Sequence, residues 1–137
     1  MGRRAARPPR LDAAGSATLT LAAHFVGLER HTLPGGLVLL VAGNRRSRML
    51  GLSRLDELPA DHAMLFDRCR SIHTGGMRFA LDLVWLDRHL HVLRLDRGVG
   101  PRRMRTCLRA RAVVEANAGH GERFAAALAQ ASARSTG

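Results

Sequence analysis

Residues 69–87 read CRSIHTGGMRFALDLVWLD, and the second half of this stretch decides the fold. Residues 81–86 are apolar on both alternating faces apart from Asp82, which is typical of a strand buried on both sides of a sheet. The residues at 87–89 interrupt the run, and residues 91–95 resume it with apolar and polar side chains in alternation. This pattern predicts a hairpin of two strands.

The flanking sequence predicts a mainly β fold. Four further runs of apolar and β-branched residues predict strands, at residues 18–26, 37–42, 63–66 and 110–116. Two segments have apolar residues at helical spacing, namely residues 45–57 and the sequence GERFAAALAQASA at residues 121–133. A Pro-Gly-Gly sequence predicts a loop between the first two strands.

The chain has the size of one domain. Its 137 residues are 46% hydrophobic and 24% charged, which is ordinary globular composition and argues against a disordered chain. Residues 1–16 carry four arginines and no apolar periodicity, so they predict a flexible basic arm. Residues 17–130 are predicted to form a single β-rich domain, followed by a tail at residues 131–137.

Arginine supplies all of the positive charge. The chain has 22 basic residues, none of them lysine, against 11 acidic ones, and its net charge is +11. Residues 45–111 contain 15 arginines and 7 acids, so the domain itself should attract anions. The densest part, PRRMRTCLRAR at residues 101–111, has no interleaved aromatic residues. We therefore expect a solvated basic loop, and only weak, sequence-blind binding to nucleic acid.

No segment predicts secretion, a membrane span or a metal site. The apolar stretch behind the basic N-terminus contains a histidine and is followed by charges, and no run approaches the roughly 20 apolar residues of a span. Cys69 and Cys107 form no disulfide framework, although one disulfide between them stays open. Of seven histidines only His89 and His91 share a strand face, whereas zinc takes three or four ligands. We expect a soluble, cytoplasmic monomer with no metal or cofactor.

The chemistry of the central stretch depends on Asp82. A buried Asp82 carboxylate needs a partner, because an unpaired buried charge costs several kcal/mol. The candidate partners are Arg78, Arg48 and His73. In one interpretation the pair merely holds the sheet, and in the other Asp82 orients the imidazole of His73 in a pocket.

Four sequence blocks share their order and spacing with a known family. They are R-x-x-G-L at residues 48–52, L-P-x-D-H-A-M-L at 58–65, S-I-H-T-x-x-M-R-F-x-L-D at 71–82 and A-x-x-V-x-E-x-x-A-G at 110–119. Together they resemble the domain of unknown function 192 (DUF192) family of bacteria and archaea. The resemblance implies a compact antiparallel β-barrel or sandwich, with a short helix near residues 45–57. It implies no established activity.

The family resemblance carries over residue by residue to eight positions, which are Arg48, Gly51, Leu52, His73, Met77, Asp82, Glu115 and Gly119. The chain departs from the family pattern at Gly75 and Ala80, where phenylalanine and proline are expected. Both departures lie between His73 and Asp82. A pocket wall formed by this loop is therefore expected to be absent or looser.

The function expected from these residues is a non-catalytic binding module for a small polar or anionic ligand or for a protein segment. The candidate ligand-binding residues are Arg48, His73, Met77, Arg78, Asp82 and Glu115, while Gly51, Leu52 and Gly119 are structural. One alternative is a hydrolase-like enzyme that uses His73 and Asp82 with Glu115 as a third group. Another is weak nucleic-acid binding through the arginines. The hydrolase requires the three side chains to converge in an open cleft, which fold class alone does not decide.

Overall fold

The computed structural model describes residues 29–42 and 58–135. This part of the chain contains eight strands and one helix: β1 (Glu29–Leu33), β2 (Leu37–Ala42), β3 (His62–Asp67), β4 (Ser71–His73), β5 (Leu81–Leu86), β6 (Val92–Val99), β7 (Met104–Thr106), β8 (Ala112–Asn117) and α1 (Gly121–Ser135). The basic arm, the predicted strand at residues 18–26 and the predicted helix at residues 45–57 lie outside the described residues. So do Arg48, Gly51 and Leu52.

The strands form one large sheet and one small sheet. The large sheet has the order β1-β2-β3-β8-β5-β6, and β4 pairs with β7 to form the small sheet. Every pair is antiparallel except β2 with β3, which is parallel. The mainly β prediction is therefore confirmed as a mixed, layered sheet without barrel closure in the described ranges. No helix there is long and apolar enough to cross a membrane.

Strand β5 lies inside the large sheet, between β8 and β6, and all six of its residues are buried. The predicted two-sided burial is thus confirmed. Because side chains alternate along a strand, the two sides of β5 face two separate core clusters. Val84 and Leu86 contact Phe124 of α1, and we call this side of the sheet the helix face. Leu83 and Trp85 pack on the opposite side, together with Ile72 of β4, and we call this the small-sheet face.

Trp85 connects the core to the small sheet. This single tryptophan is fully buried, and its Nε1 donates to Asp96 Oδ2 at 2.9 Å. Arg94 donates to the same oxygen at 2.9 Å and to the carbonyl oxygen of Thr106 at 2.8 Å. The Arg94 guanidinium lies 5.4 Å from the centroid of the Trp85 ring. Strand β6 thereby links the indole to β7.

The hairpin of β5 and β6 is confirmed, and Asp87 closes its turn. One oxygen of Asp87 accepts from the backbone N–H of His89 at 2.8 Å and of His91 at 3.0 Å. These bonds, led by that from His91, lower the pKa of Asp87. Leu90 at the tip of the hairpin has a φ of +64° and is 42% exposed.

Strand β1 was not predicted, because its sequence ERHTL has four exposed residues and carries no apolar alternation. It pairs with β2 through the predicted Pro-Gly-Gly turn, in which Gly35 and Gly36 have φ values of +85° and +77°. The C-terminal helix is confirmed and extends to Ser135, so part of the predicted tail is helical. Cys69 and Cys107 are not joined in a disulfide.

Candidate functional site

Asp82 lies on the helix face of β5, beneath the start of α1. Its Oδ2 accepts from the N–H groups of Gly119 and Gly121, and its Oδ1 accepts from the N–H of Gly98, each at 2.9 Å. Since Gly121 begins α1, the carboxylate also faces the positive end of the helix dipole. A Cβ on Gly121 would lie 2.7 Å from the Asp82 Cβ, so glycine is required for this approach. Asp82 therefore joins β5, β6 and α1.

The buried Asp82 carboxylate has partners, but they include a type of donor that the sequence analysis did not consider. Three backbone amides donate to the carboxylate. Backbone N–H groups are present at every residue except proline and leave no signal in the sequence. Gly119, expected to be structural, supplies one of the three donors.

His73 lies on the small sheet, with its side chain exposed. Its Nδ1 accepts from the backbone N–H of Gly75 at 3.1 Å. A Cβ on Gly75 would lie only 2.7 Å from the His73 ring, so the imidazole occupies space that a larger residue at position 75 would need. Gly75, where the family pattern has phenylalanine, therefore leaves room for the His73 ring.

Glu115 lies on the opposite side of the large sheet from Asp82. In β8 it is in register with Leu83, whereas Asp82 is in register with Ala116. Residues in register share a face and neighbours along a strand alternate, so the two carboxylates point away from each other. With His73 exposed on the small sheet, the three groups do not converge in one cleft. The hydrolase arrangement is not formed.

The carboxyl group of Glu115 is enclosed by apolar neighbours. Its cross-strand partners are Met64 and Leu83, and the residue is only 6% exposed. Burial raises the pKa of Glu115 to about 8. Among the described residues no side chain forms an ion pair with it. Of the other candidate residues, Met77 is half-buried against the same core cluster and Arg78 is exposed.

A histidine–aspartate pair does exist, but at a place the sequence analysis did not single out. His62 Nδ1 lies 2.7 Å from Asp61 Oδ1, and this hydrogen bond lowers the pKa of Asp61. The other ring nitrogen, Nε2, lies 3.2 Å from the Arg30 guanidinium. Arginine has only donors, so Nε2 accepts and Nδ1 donates to the aspartate. Both nitrogens are engaged, which suits a structural link between β1 and β3.

A groove lies on the helix face of the sheet. Its volume is about 700 Å³. Helix α1 packs on β5, β6 and β8 and also contacts β1, and the groove lies between the helix, strands β1 to β3 and the turn between β5 and β6. The groove is lined mainly by apolar side chains, which include Leu33, Leu39, Leu65, Leu90, Leu128 and Ala131.

Three histidines belong to the polar part of the groove wall, which also includes Thr32, Ser132 and Ser135. His31 comes from β1, and His89 and His91 come from the turn between β5 and β6. His31 Nε2 lies 2.9 Å from a Glu29 carboxylate oxygen, and His91 Nδ1 lies 3.4 Å from Asp87. The shared face of His89 and His91 was visible in the sequence, but His31 was missed because β1 was not predicted. Across residues 29–42 and 58–135, no three such side chains are placed to hold a metal.

The sequence profile of one family, described as Uncharacterized ACR, matches residues 31–128, which is well over half of the chain. The chain belongs to the DUF192 family. The resemblance noted from the four sequence blocks is thereby confirmed. No curated protein matches the chain significantly.

Two solved structures share the fold of this DUF192 protein. A Sinorhizobium meliloti protein described as a "putative transcription regulator" matches with a TM-score of 0.58 at 22% identity, over 69% of this chain and 82% of that one. A Novosphingobium aromaticivorans protein of unknown function matches with a TM-score of 0.56 at 17% identity, over 74% of this chain and 89% of the other. At these identities the likeness shows the fold alone.

Proposed function

We propose that this DUF192 protein is a non-catalytic binding module whose groove takes a small, largely apolar molecule with one hydrogen-bonding head group. The observation that supports this proposal is the groove of about 700 Å³ on the helix face, with its apolar walls and histidine rim. Its volume falls within the range of small-molecule sites, roughly 300 to 1,000 Å³. It matches such a site in composition as well, since these are mostly apolar with a few convergent polar groups.

The apolar lining favours an apolar body for the ligand. Leu33, Leu39 and Leu128 belong to the helix-face core, and the groove continues that core to the surface. Each Å² of apolar surface that a ligand removes from water contributes about 25 cal/mol before the costs of association. A polar molecule would gain little from these walls.

The histidine rim favours a single hydrogen-bonding head group. His31 uses Nε2 toward Glu29, and His91 uses Nδ1 toward Asp87, so within the described residues the other nitrogen of each imidazole remains for a ligand. When the ring is neutral and donates to its carboxylate, the second nitrogen is an acceptor. When the ring is protonated, the second nitrogen is a donor. A hydroxyl or a carboxyl head group suits this rim.

Filling the groove tests the proposal. Ala131 lines the groove on α1, whereas Ala126 lies on an exposed face of the same helix, so Ala131→Phe and Ala126→Phe form a matched pair. The probe is N-phenyl-1-naphthylamine, a neutral apolar dye whose fluorescence rises in apolar sites. We expect saturable binding that Ala131→Phe weakens about tenfold or more, equivalent to about 1.4 kcal/mol, and that Ala126→Phe leaves unchanged. Equal binding by both variants, or no saturable binding by the parent protein, would overturn the proposal.

A further inference from the structure

The small sheet and its flanking loops form a strongly basic surface on the side of the molecule away from the groove. Residues 67–78 and 100–111, which we call the basic cap, contain eight arginines and one acid, Asp67. The arginines are Arg68, Arg70, Arg78, Arg102, Arg103, Arg105, Arg109 and Arg111. Seven of them are exposed, and Arg105 is half-buried.

Backbone hydrogen bonds bring arginines from the two segments together. The N–H of Cys69 donates to the carbonyl oxygen of Arg111 at 3.2 Å, and the N–H of Cys107 donates to that of Arg70 at 2.8 Å. The arginines at 68 and 70 therefore lie beside those at 109 and 111, at one end of the small sheet. Within the described part of the chain, no ion pair neutralises these four side chains.

Two large apolar side chains project from the basic cap. Met104 is 63% exposed on the outer face of β7, and Leu108 is 77% exposed. Leu108 lies in a tight turn that the hydrogen bond from Ala110 N–H to Cys107 O closes at 3.0 Å. These are the two most exposed large apolar residues in the described ranges, and both lie among arginines. Single exposed apolar side chains are ordinary on protein surfaces, but these two lie among clustered arginines, and interfacial membrane contacts combine apolar insertion with basic charge.

We propose that the basic cap docks on an anionic lipid surface, with its arginines on lipid phosphate or carboxylate groups and Leu108 inserted at the boundary between head groups and acyl chains. Clustered arginines are attracted to anionic membranes by roughly 1 kcal/mol each near the surface. An apolar side chain at the tip of a basic element adds buried apolar area that such binding uses. Met104 extends the same contact along β7.

Nucleic acid would also attract the arginines, but the apolar tips distinguish the two partners. A phosphate backbone offers Leu108 and Met104 no apolar environment, whereas the lipid interface does. Proteins that bind single strands use aromatic side chains as stacking platforms. The basic cap has no aromatic residue in either segment. The observations therefore favour lipid.

Vesicle sedimentation with the full chain tests the proposal. The probes are phosphatidylcholine vesicles with and without about 30% phosphatidylserine, at about 0.15 M salt. We expect binding only to the anionic vesicles. The double variant Met104→Ser with Leu108→Ser should weaken it about tenfold, whereas Val92→Ser, at an exposed apolar residue outside both the cap and the groove, should leave it unchanged. Far-UV circular dichroism of each variant checks that the fold is kept.

Two outcomes would overturn the proposal. One is the absence of binding to anionic vesicles, or binding that the double serine variant leaves unchanged. The other is tighter binding to a short DNA duplex than to the anionic vesicles, insensitive to the serine substitutions, which would assign the cap to nucleic acid. The dye experiment on the groove uses other residues and another face, so either proposal can fail without the other.

Discussion

Replacing Asp82 with alanine measures what its buried carboxylate contributes to stability. The carboxylate accepts three backbone N–H groups at 2.9 Å. Gly98 and Gly119 are exposed, so water can replace the carboxylate there, whereas Gly121 is buried and its N–H would lose its partner. A hydrogen bond to a charged group contributes about 1.5 to 3 kcal/mol, and a stranded buried donor costs about 1 to 3 kcal/mol. We expect Asp82→Ala to lower the free energy of unfolding by about 3 to 5 kcal/mol.

The assay is urea denaturation followed by far-UV circular dichroism, with stability compared at the midpoint and the slope unchanged. His73→Ala is the comparison variant, because His73 is exposed and its ring accepts a hydrogen bond from Gly75 of the same loop. His73→Ala should lower the free energy of unfolding by at most about 1 kcal/mol. Asp82→Asn keeps the shape of the side chain but turns one amide N–H toward a backbone donor. We expect Asp82→Asn to lower the free energy of unfolding by an intermediate amount, about 2 kcal/mol.

Small and equal losses for Asp82→Ala and His73→Ala would refute this reasoning. They would mean that water replaces all three hydrogen bonds of the carboxylate, including that of Gly121. Asp82 would then be part of an accessible site and not of the framework. If Asp82→Asn instead lost as much unfolding free energy as Asp82→Ala, the negative charge at the start of α1 would matter more than the number of hydrogen-bond acceptors.

Two further substitutions have expected outcomes. The pKa of Glu115 is about 8 in the folded protein against 4.5 ordinarily, so the folded state favours the protonated carboxyl group. The free energy of unfolding is therefore highest below pH 4.5, and it falls as the pH rises from there through about 8. Glutamine does not ionise, so the stability of Glu115→Gln relative to the parent protein should rise by about 1.4 kcal/mol per pH unit across that window. Identical pH profiles of the urea midpoint for the variant and the parent would contradict the burial of a carboxyl group. Gly121→Ala should lower the thermal midpoint despite the better helix propensity of alanine, because its Cβ would lie 2.7 Å from both Asp82 and Leu95. Gly100→Ala, where a Cβ meets nothing within 4 Å and φ is not positive, is the control and should be nearly neutral.

The parts of the fold that bury apolar side chains were predictable from the sequence. β5 has apolar residues on both faces, and α1 has Phe124 and Leu128 on one side, so pattern and packing agree. β1 was not predictable, because an edge strand with exposed polar residues has no alternation. The three-residue strands β4 and β7 are too short to show one.

The candidate site was less predictable than the fold. The need of Asp82 for a partner follows from its apolar neighbours, but backbone amides as that partner follow only from the turn that brings Gly119 and Gly121 over β5. The divergence of Asp82 and Glu115 depends on strand register, which two isolated sequence blocks do not contain. The groove is assembled from β1, the turn after β5 and α1, so its residues are distant in sequence.

The position of Trp85 gives the protein an optical probe of its own. Tyrosine is absent from the chain, so near-ultraviolet emission comes from this one indole. The emission wavelength depends on the field around the ring, and the Arg94 cation lies 5.4 Å from its centroid while also holding the Thr106 carbonyl oxygen of β7. A partner that draws β7 or Arg94 away from the indole changes that field. Events on the small sheet can therefore be followed by intrinsic fluorescence, with no dye or label attached.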